Sequence, residues 1–193
     1  MNSKGLIYVF TGDGKGKTSA ALGTALRSLL LNKKVVWISW YKSSDWSISE
    51  AKLQSKFKDN LEMYWTGKGF YIKNKKIAKV NDGVVVDRDS FANHKKAAHN
   101  ALLLVKRIYE EVESGMRIVD LLIMDEINQT VSDKLLTEKQ ILNVLSKRGK
   151  VPTILTGRNC PGEITKIADL VTEMKKIKHP FDNGIMAVQG LDF

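Results

Sequence analysis

Cysteine occurs once, at Cys160, and proline three times, so this chain has neither a disulfide framework nor a proline-rich linker available to it. Three histidines with a single sulfur cannot assemble a soft-ligand metal cluster. Two of them, His94 and His99, stand five residues apart, a spacing that separates them around a helix and predicts a surface pair. No apolar run approaches the roughly 20 residues needed to cross a bilayer. The longest, at 6–10 and 119–124, are strand-sized. A strand-like run begins within a few residues of Met1, which is not the pattern of a signal peptide, and a cytoplasmic location is the expectation. No serine–histidine or cysteine–histidine arrangement stands out, so nothing points to a protein nucleophile.

What is present suits an ordinary globular protein. Hydrophobic residues make up 43% and charged residues 27% of 193 positions, enough to build a core and too many apolar groups for wholesale disorder. The length predicts one domain over residues 1–193. Lysine and arginine outnumber aspartate and glutamate by 31 to 21, a formal charge of +10 that favours anionic partners. The lysine clusters at 73–79, 147–150 and 175–178 have few interleaved aromatics. They read as solvated faces before they read as a nucleic-acid tract.

Apolar runs alternate with helical patterns from end to end, which predicts an α/β fold with a mainly parallel sheet covered on both faces. Strands are expected at about 6–10, 35–40, 61–65, 119–124, 151–156 and 171–177. The first helix is expected to bury Leu22, Leu26, Leu29 and Leu30; a long one near 91–113 carries Ala98, Leu102, Val105 and Ile108 at core spacing. Between 73 and 90 the pattern loosens around Asn81-Asp82-Gly83, and an excursion from the domain is expected there.

Directly behind the first strand stands Thr11-Gly12-Asp13-Gly14-Lys15-Gly16-Lys17-Thr18. Glycines free the backbone N–H groups to turn inward around an anion, a lysine reaches the outer phosphates, and a hydroxyl at Thr18 can meet magnesium. Ser19 follows in a helix whose positive end faces the phosphates. The strict phosphate-loop pattern has glycine where Thr11 stands. Context carries the reading instead, with a strand before the loop and a helix after it. A nucleotide-binding three-layer P-loop fold of the RecA-like type, with about six strands, is therefore expected.

The run Leu121-Leu122-Ile123-Met124 ends in Asp125-Glu126, as a strand does when its carboxyl end delivers acid groups to a magnesium–nucleotide. Asp125 and Glu126 are predicted beside Lys17 and Thr18 despite a separation of more than a hundred residues. Another strand ends at Thr156-Gly157-Arg158, which brings a guanidinium with its fixed fork of donors to the same rim.

Taken with Asp125-Glu126-Ile127-Asn128, Thr156-Gly157-Arg158-Asn159, the ADLVTEM run at 168–174 and the ending KHPFDNG at 178–184, these motifs resemble those of the P-loop ATP:corrinoid adenosyltransferases. The likeness covers nearly the whole chain apart from 73–90, and that family carries threonine at the position of Thr11. It implies transfer of the 5′-deoxyadenosyl group from ATP to the Co(I) of a corrinoid, with triphosphate as the leaving group. It further implies that Gly12, Asp13, Gly14, Lys15, Gly16, Lys17, Thr18 and Ser19 hold ATP. Thr18, Asp125 and Glu126 would face magnesium, and Lys17, Glu126 and Arg158 would serve catalysis. The family packs aromatic rings on the corrinoid through a G-x-G-F-T-W-like motif. Here Gly67-Lys68-Gly69-Phe70-Tyr71-Ile72 occupies that place, so Phe70 matches and Ile72 stands in for tryptophan. A homodimer is implied as well, and the basic surface would suit an acidic, electron-donating flavoprotein. Two other readings stay open: another P-loop ATPase or kinase with an anionic partner, and a non-catalytic ATP- or corrinoid-binding module.

Overall fold

The computed structural model describes residues 4–46, 48–69 and 89–192. Phe70 and Ile72 lie outside the described residues, as does the expected excursion except for Asp89 and Ser90. Six strands form one sheet: β1 (Ile7–Thr11), β2 (Val35–Ser39), β3 (Leu61–Trp65), β4 (Leu121–Asp125), β5 (Thr153–Thr156) and β6 (Leu170–Glu173). Their order is β3-β2-β4-β5-β1-β6, and every pairing is parallel. Each predicted strand is present, mostly trimmed at its ends.

Parallel strands need crossovers, and helices supply them. They are α1 (Lys17–Leu30), the short α2 (Leu53–Lys56), α3 (Phe91–Glu113), the single turn α4 (Gln129–Ser132), α5 (Glu138–Leu145) and α6 (Gly162–Ile167). Alternate strand residues feed two cores. Val36, Ile38, Leu122, Met124 and Leu155 pack with Ala98, Leu102, Val105 and Ile108 of α3 and Ile141 of α5. Val35, Trp37, Leu121, Ile123 and Ile154 pack with Ala21, Ala25 and Leu29 of α1. Two helical layers around one sheet make the three-layer α/β arrangement that the strand pattern predicted. Local chemistry fixes the helix starts, since Ser90 caps α3 by accepting from the Asn93 N–H at 3.2 Å. Thr137 and Gln140 form a reciprocal capping box on α5.

Three expectations need correction. The buried face of α1 is Ala21, Ala25 and Leu29, while Leu26 and Leu30 are 40% and 69% exposed. The phosphate loop fixes where α1 begins and so which face meets the sheet; small alanines at i and i+4 then allow close approach. His94 is buried on α3 and His99 exposed, so they are not a surface pair. The last strand ends at Glu173 rather than near 177, because Met174 and Lys175 leave the sheet to pack against the loop after β1.

Candidate functional site

The loop between β1 and α1 is shaped by close approach. Gly12 has φ +101°, and a Cβ there would come within 2.4 Å of the Met174 carbonyl oxygen; at Gly14 the same oxygen would lie 2.7 Å away. Neither position has room for a side chain. The Gly14 N–H donates to that oxygen at 2.6 Å, and the Met174 N–H donates to the Thr11 carbonyl at 2.8 Å. Gly16, at φ +113°, is the N-cap of α1 and offers it no side-chain acceptor; no acid lies in the first turn. The positive end of this helix is therefore left for an anion in the loop.

Within the loop, the Lys17 ammonium donates to the carbonyls of Gly12 (2.9 Å) and Gly14 (2.6 Å). Partial burial, and the Arg158 guanidinium beside it, hold its pKa below the usual lysine value. Arg158 itself is exposed. Asp13 accepts the Lys176 N–H at 3.1 Å, and that bond chiefly lowers its pKa. Lys15 pairs with Asp192 near the end of the chain at 2.5 Å. Ser19 is exposed in the first turn of α1. Thr11 has a local task, since its hydroxyl accepts the Cys160 N–H at 3.1 Å and ties the end of β1 to the turn after β5.

Across the rim, the Thr18 hydroxyl donates to Asp125 Oδ1 at 3.0 Å, joining residues 107 positions apart. Asp125 is fully buried and heavily bonded. Its Oδ1 also accepts from the Thr156 hydroxyl at 2.8 Å, while Oδ2 accepts from the Ser39 hydroxyl at 3.2 Å and faces Lys42 Nζ at 3.1 Å. Ser39 is held by Trp37, whose indole N–H donates to its oxygen at 3.0 Å. Lys42 also reaches Glu50 Oε1 at 2.7 Å. Burial opposes the Lys42 charge, but Asp125, Glu126 and Glu50 outweigh it and raise its pKa above the ordinary lysine value.

Glu126 sits differently. Its φ of +66° is in the left-handed region, a strained place for a residue with a side chain, and its N–H is caught by the Thr156 hydroxyl at 2.8 Å. Its buried Oε2 has no hydrogen-bond partner among the described residues. Burial first, then the neighbouring Asp125 charge, push its pKa up to about 8. Both polar side-chain atoms of the fully buried Asn128 are likewise without a partner among the described residues.

These oxygens suit a hard divalent cation of the magnesium type. Asp125 has its acceptor positions filled, whereas Glu126 Oε2 is an uncommitted buried carboxylate oxygen near the Thr18 hydroxyl's anchor. Among the described residues, no group of three or more His, Cys, Asp or Glu is arranged to hold a metal. An ion here would share oxygens with nucleotide phosphates and water, which is how magnesium is commonly held.

The predicted loop and carboxylate residues thus come together at the carboxyl ends of the strands. Ser39, Lys42, Glu50 and Thr156 were not foreseen as parts of this cluster. Ser39 and Lys42 lie at and just beyond the carboxyl end of β2, so the rule that pointed to Asp125 applies to them too. Glu50 carries no such signal, because it arrives from a short 3-10 turn at Ser49–Lys52.

Residues 3–193 match the ATP:corrinoid adenosyltransferase family BtuR/CobO/CobP. The corrinoid adenosyltransferase of Escherichia coli (strain K12) is 30% identical over 194 residues, a match that covers 100% of this chain and 88% of that protein. Corrinoid adenosyltransferase CobA of Salmonella typhimurium (strain LT2) is 29% identical with the same coverage. Among solved structures, a KaiC-like protein, PH0186 from Pyrococcus horikoshii OT3, aligns at TM-score 0.49 and 15% identity over 91% of this chain and 74% of its own.

Proposed function

The chain belongs to the ATP:corrinoid adenosyltransferase family, and on that premise we propose how its residues divide the work of the reaction. It is a transferase that moves the adenosyl group of ATP to a corrinoid, and a different P-loop ATPase, kinase or non-catalytic module is not favoured. The observation that carries the assignment of roles is the 3.0 Å bond from Thr18 to Asp125, which brings the phosphate loop to the carboxylate pair.

In this reading the reduced cobalt of the corrinoid substrate attacks the 5′ carbon of ATP, the C5′–O bond breaks, and its electron pair leaves with triphosphate. No protein nucleophile is required. The enzyme's tasks are to place the 5′ carbon and to stabilise a leaving group that gains negative charge. The N–H groups of Asp13–Thr18, apart from that of Gly14, which is bonded to Met174, and the Lys17 ammonium hold the phosphates, and Lys17 exchanges its two loop carbonyls for phosphate oxygens. Arg158, exposed and electrostatically coupled to Lys17, supplies a second cation toward the departing charge. Thr18 and Glu126 would hold magnesium, which would supply neutralisation of phosphate charge. Asp125 orients Thr18 from behind. Lys15 and Ser19 are secondary nucleotide contacts.

Several finer points belong to the same proposal. Residues 1–193 act as one domain with an excursion near 73–90. Phe70 and Ile72 meet the corrinoid, the protein works as a homodimer in the cytoplasm, and an acidic flavoprotein delivers electrons. The formal charge of +10 supports the last of these. No helix among the described residues is long and apolar enough to cross a membrane.

An anaerobic assay tests the reading. Reduced cobalamin, ATP and magnesium should yield the spectrum of a cobalt–carbon bond together with triphosphate in equal amount. ADP and phosphate as the products would overturn it.

A further inference from the structure

Lys42 carries a buried ammonium held by two carboxylates, away from the phosphate loop's own lysine. Asp125 Oδ2 and Glu50 Oε1 converge on its Nζ at 3.1 and 2.7 Å, and the Lys42 and Glu50 side chains are 11% and 10% exposed. Its backbone is pinned. The Gly67 N–H donates to the Lys42 carbonyl at 3.0 Å, and a Cβ on Gly67 would strike the Tyr41 carbonyl carbon at 2.0 Å, so the two segments lie against each other. Tyr41 is anchored in turn by its hydroxyl, which donates to Asp133 Oδ2 at 2.7 Å. The main chain is thus fixed at this point, and the ammonium itself is held by the two carboxylates.

The charges around it pose a problem that the ammonium solves. Asp125 and Glu50 each bring a carboxylate oxygen against its Nζ, so two acids face one another across a poorly solvated gap. Without a resident cation, such a pair would draw in another positive charge, since interactions between charges a few ångströms apart are strong where water is scarce. A metal taken up before the nucleotide would compete with the arrangement in which magnesium arrives with the phosphates and meets Thr18 and Glu126. The ammonium stands at the outer oxygen of Asp125, on the carboxylate oxygen not used by Thr18.

We propose that Lys42 is a positioning residue that acts as a built-in monovalent cation: it occupies the cation-binding side of Asp125 and Glu50 and so makes divalent-metal binding conditional on the nucleotide. This rests on the reading of Thr18 and Glu126 as the magnesium side of the site. It predicts a gain, not a loss, when the ammonium is removed, which a merely structural role would not produce.

The test measures Mn2+ binding to the full-length protein, by electron paramagnetic resonance of the free ion, with and without ATP. The wild-type protein should bind Mn2+ weakly alone and tightly with ATP. Lys42→Met should bind Mn2+ alone more tightly than wild type by at least about tenfold, and Lys42→Arg, which keeps the charge, should return to wild-type behaviour. Lys42→Gln, which removes the charge but keeps an amide that can donate to one carboxylate, guards against a folding failure in Lys42→Met. It too should bind Mn2+ alone more tightly than wild type. Unchanged Mn2+ affinity in a folded variant lacking the ammonium overturns the proposal. Failure of wild type to bind Mn2+ even with ATP would instead remove the reading of the magnesium site on which it rests.

Discussion

Asp125 and the turn from Glu126 to Asn128 are neighbours in sequence at the end of β4, yet their surroundings are opposite. Around Asp125 each carboxylate oxygen has two partners, from Thr18 and Thr156 on one and Ser39 and Lys42 on the other. One residue later the balance reverses. Glu126 Oε2 and both polar atoms of Asn128 are buried with no partner among the described residues, and Glu126 has a strained backbone. A filled hub holds the fold at the rim, whereas an unfilled one costs stability and is expected where a ligand will complete the bonding.

That contrast can be broken or sharpened by substitution. The largest effect is expected at the phosphate loop, outside both regions: Lys17→Ala should weaken ATP binding by more than about 100-fold in equilibrium titrations, with little change in melting temperature. Next comes the filled hub. Asp125→Ala leaves the Lys42 ammonium with Glu50 as its one remaining carboxylate and three hydroxyls without their acceptor, so denaturant unfolding should show a loss of about 3–5 kcal/mol. An unchanged midpoint would show that the hub does not hold the rim.

The unfilled side should respond in the other direction and more weakly. Asn128→Val, closer to asparagine in volume than leucine and without polar side-chain atoms, should leave the ligand-free protein about as stable as wild type or stabilise it by up to about 1–2 kcal/mol. A loss of several kcal/mol would mean that the orphan amide is satisfied after all. The smallest effect concerns Cys160, whose thiol is pushed up to about 12 by burial and by the Glu138 charge. Its alkylation by iodoacetamide should be very slow near neutral pH and accelerate only as the pH approaches that value, unlike an exposed, unperturbed thiol.

Much of the fold could be read in advance because the inner parallel strands, β2 and β4 above all, are buried on both faces and appear as continuous apolar runs. The glycine spacing of the loop was equally legible, since close approach to Met174 leaves glycine as the residue that fits. The buried face of α1 was misread because leucine spacing suggests a stripe, while alanines face the sheet and the leucines at 26 and 30 face outward. His94 was misplaced because five-residue spacing does not say which member of a pair meets the core. In the site, Asp125 and Glu126 announced themselves as strand-end acids. The difference between them did not, for it depends on Ser39, Lys42 and Thr156 arriving from two other strands. Long-range convergence of that kind leaves no local pattern.

The two regions are separated most directly by Glu126→Gln, with melting temperature and Mn2+–ATP affinity followed in the same preparation. A carboxyl group whose pKa is raised in the folded protein keeps its proton after the unfolded chain has lost it, so wild-type stability should fall as pH rises from the ordinary glutamate range through about 8. The variant lacks that titration. Its melting temperature should exceed that of wild type near pH 9 and approach it below about pH 5, while Mn2+–ATP affinity drops at least about tenfold. A variant that melts lower than wild type near pH 9 and keeps full Mn2+–ATP affinity would contradict the account, since Glu126 would then be part of the filled structure rather than the place held for a ligand.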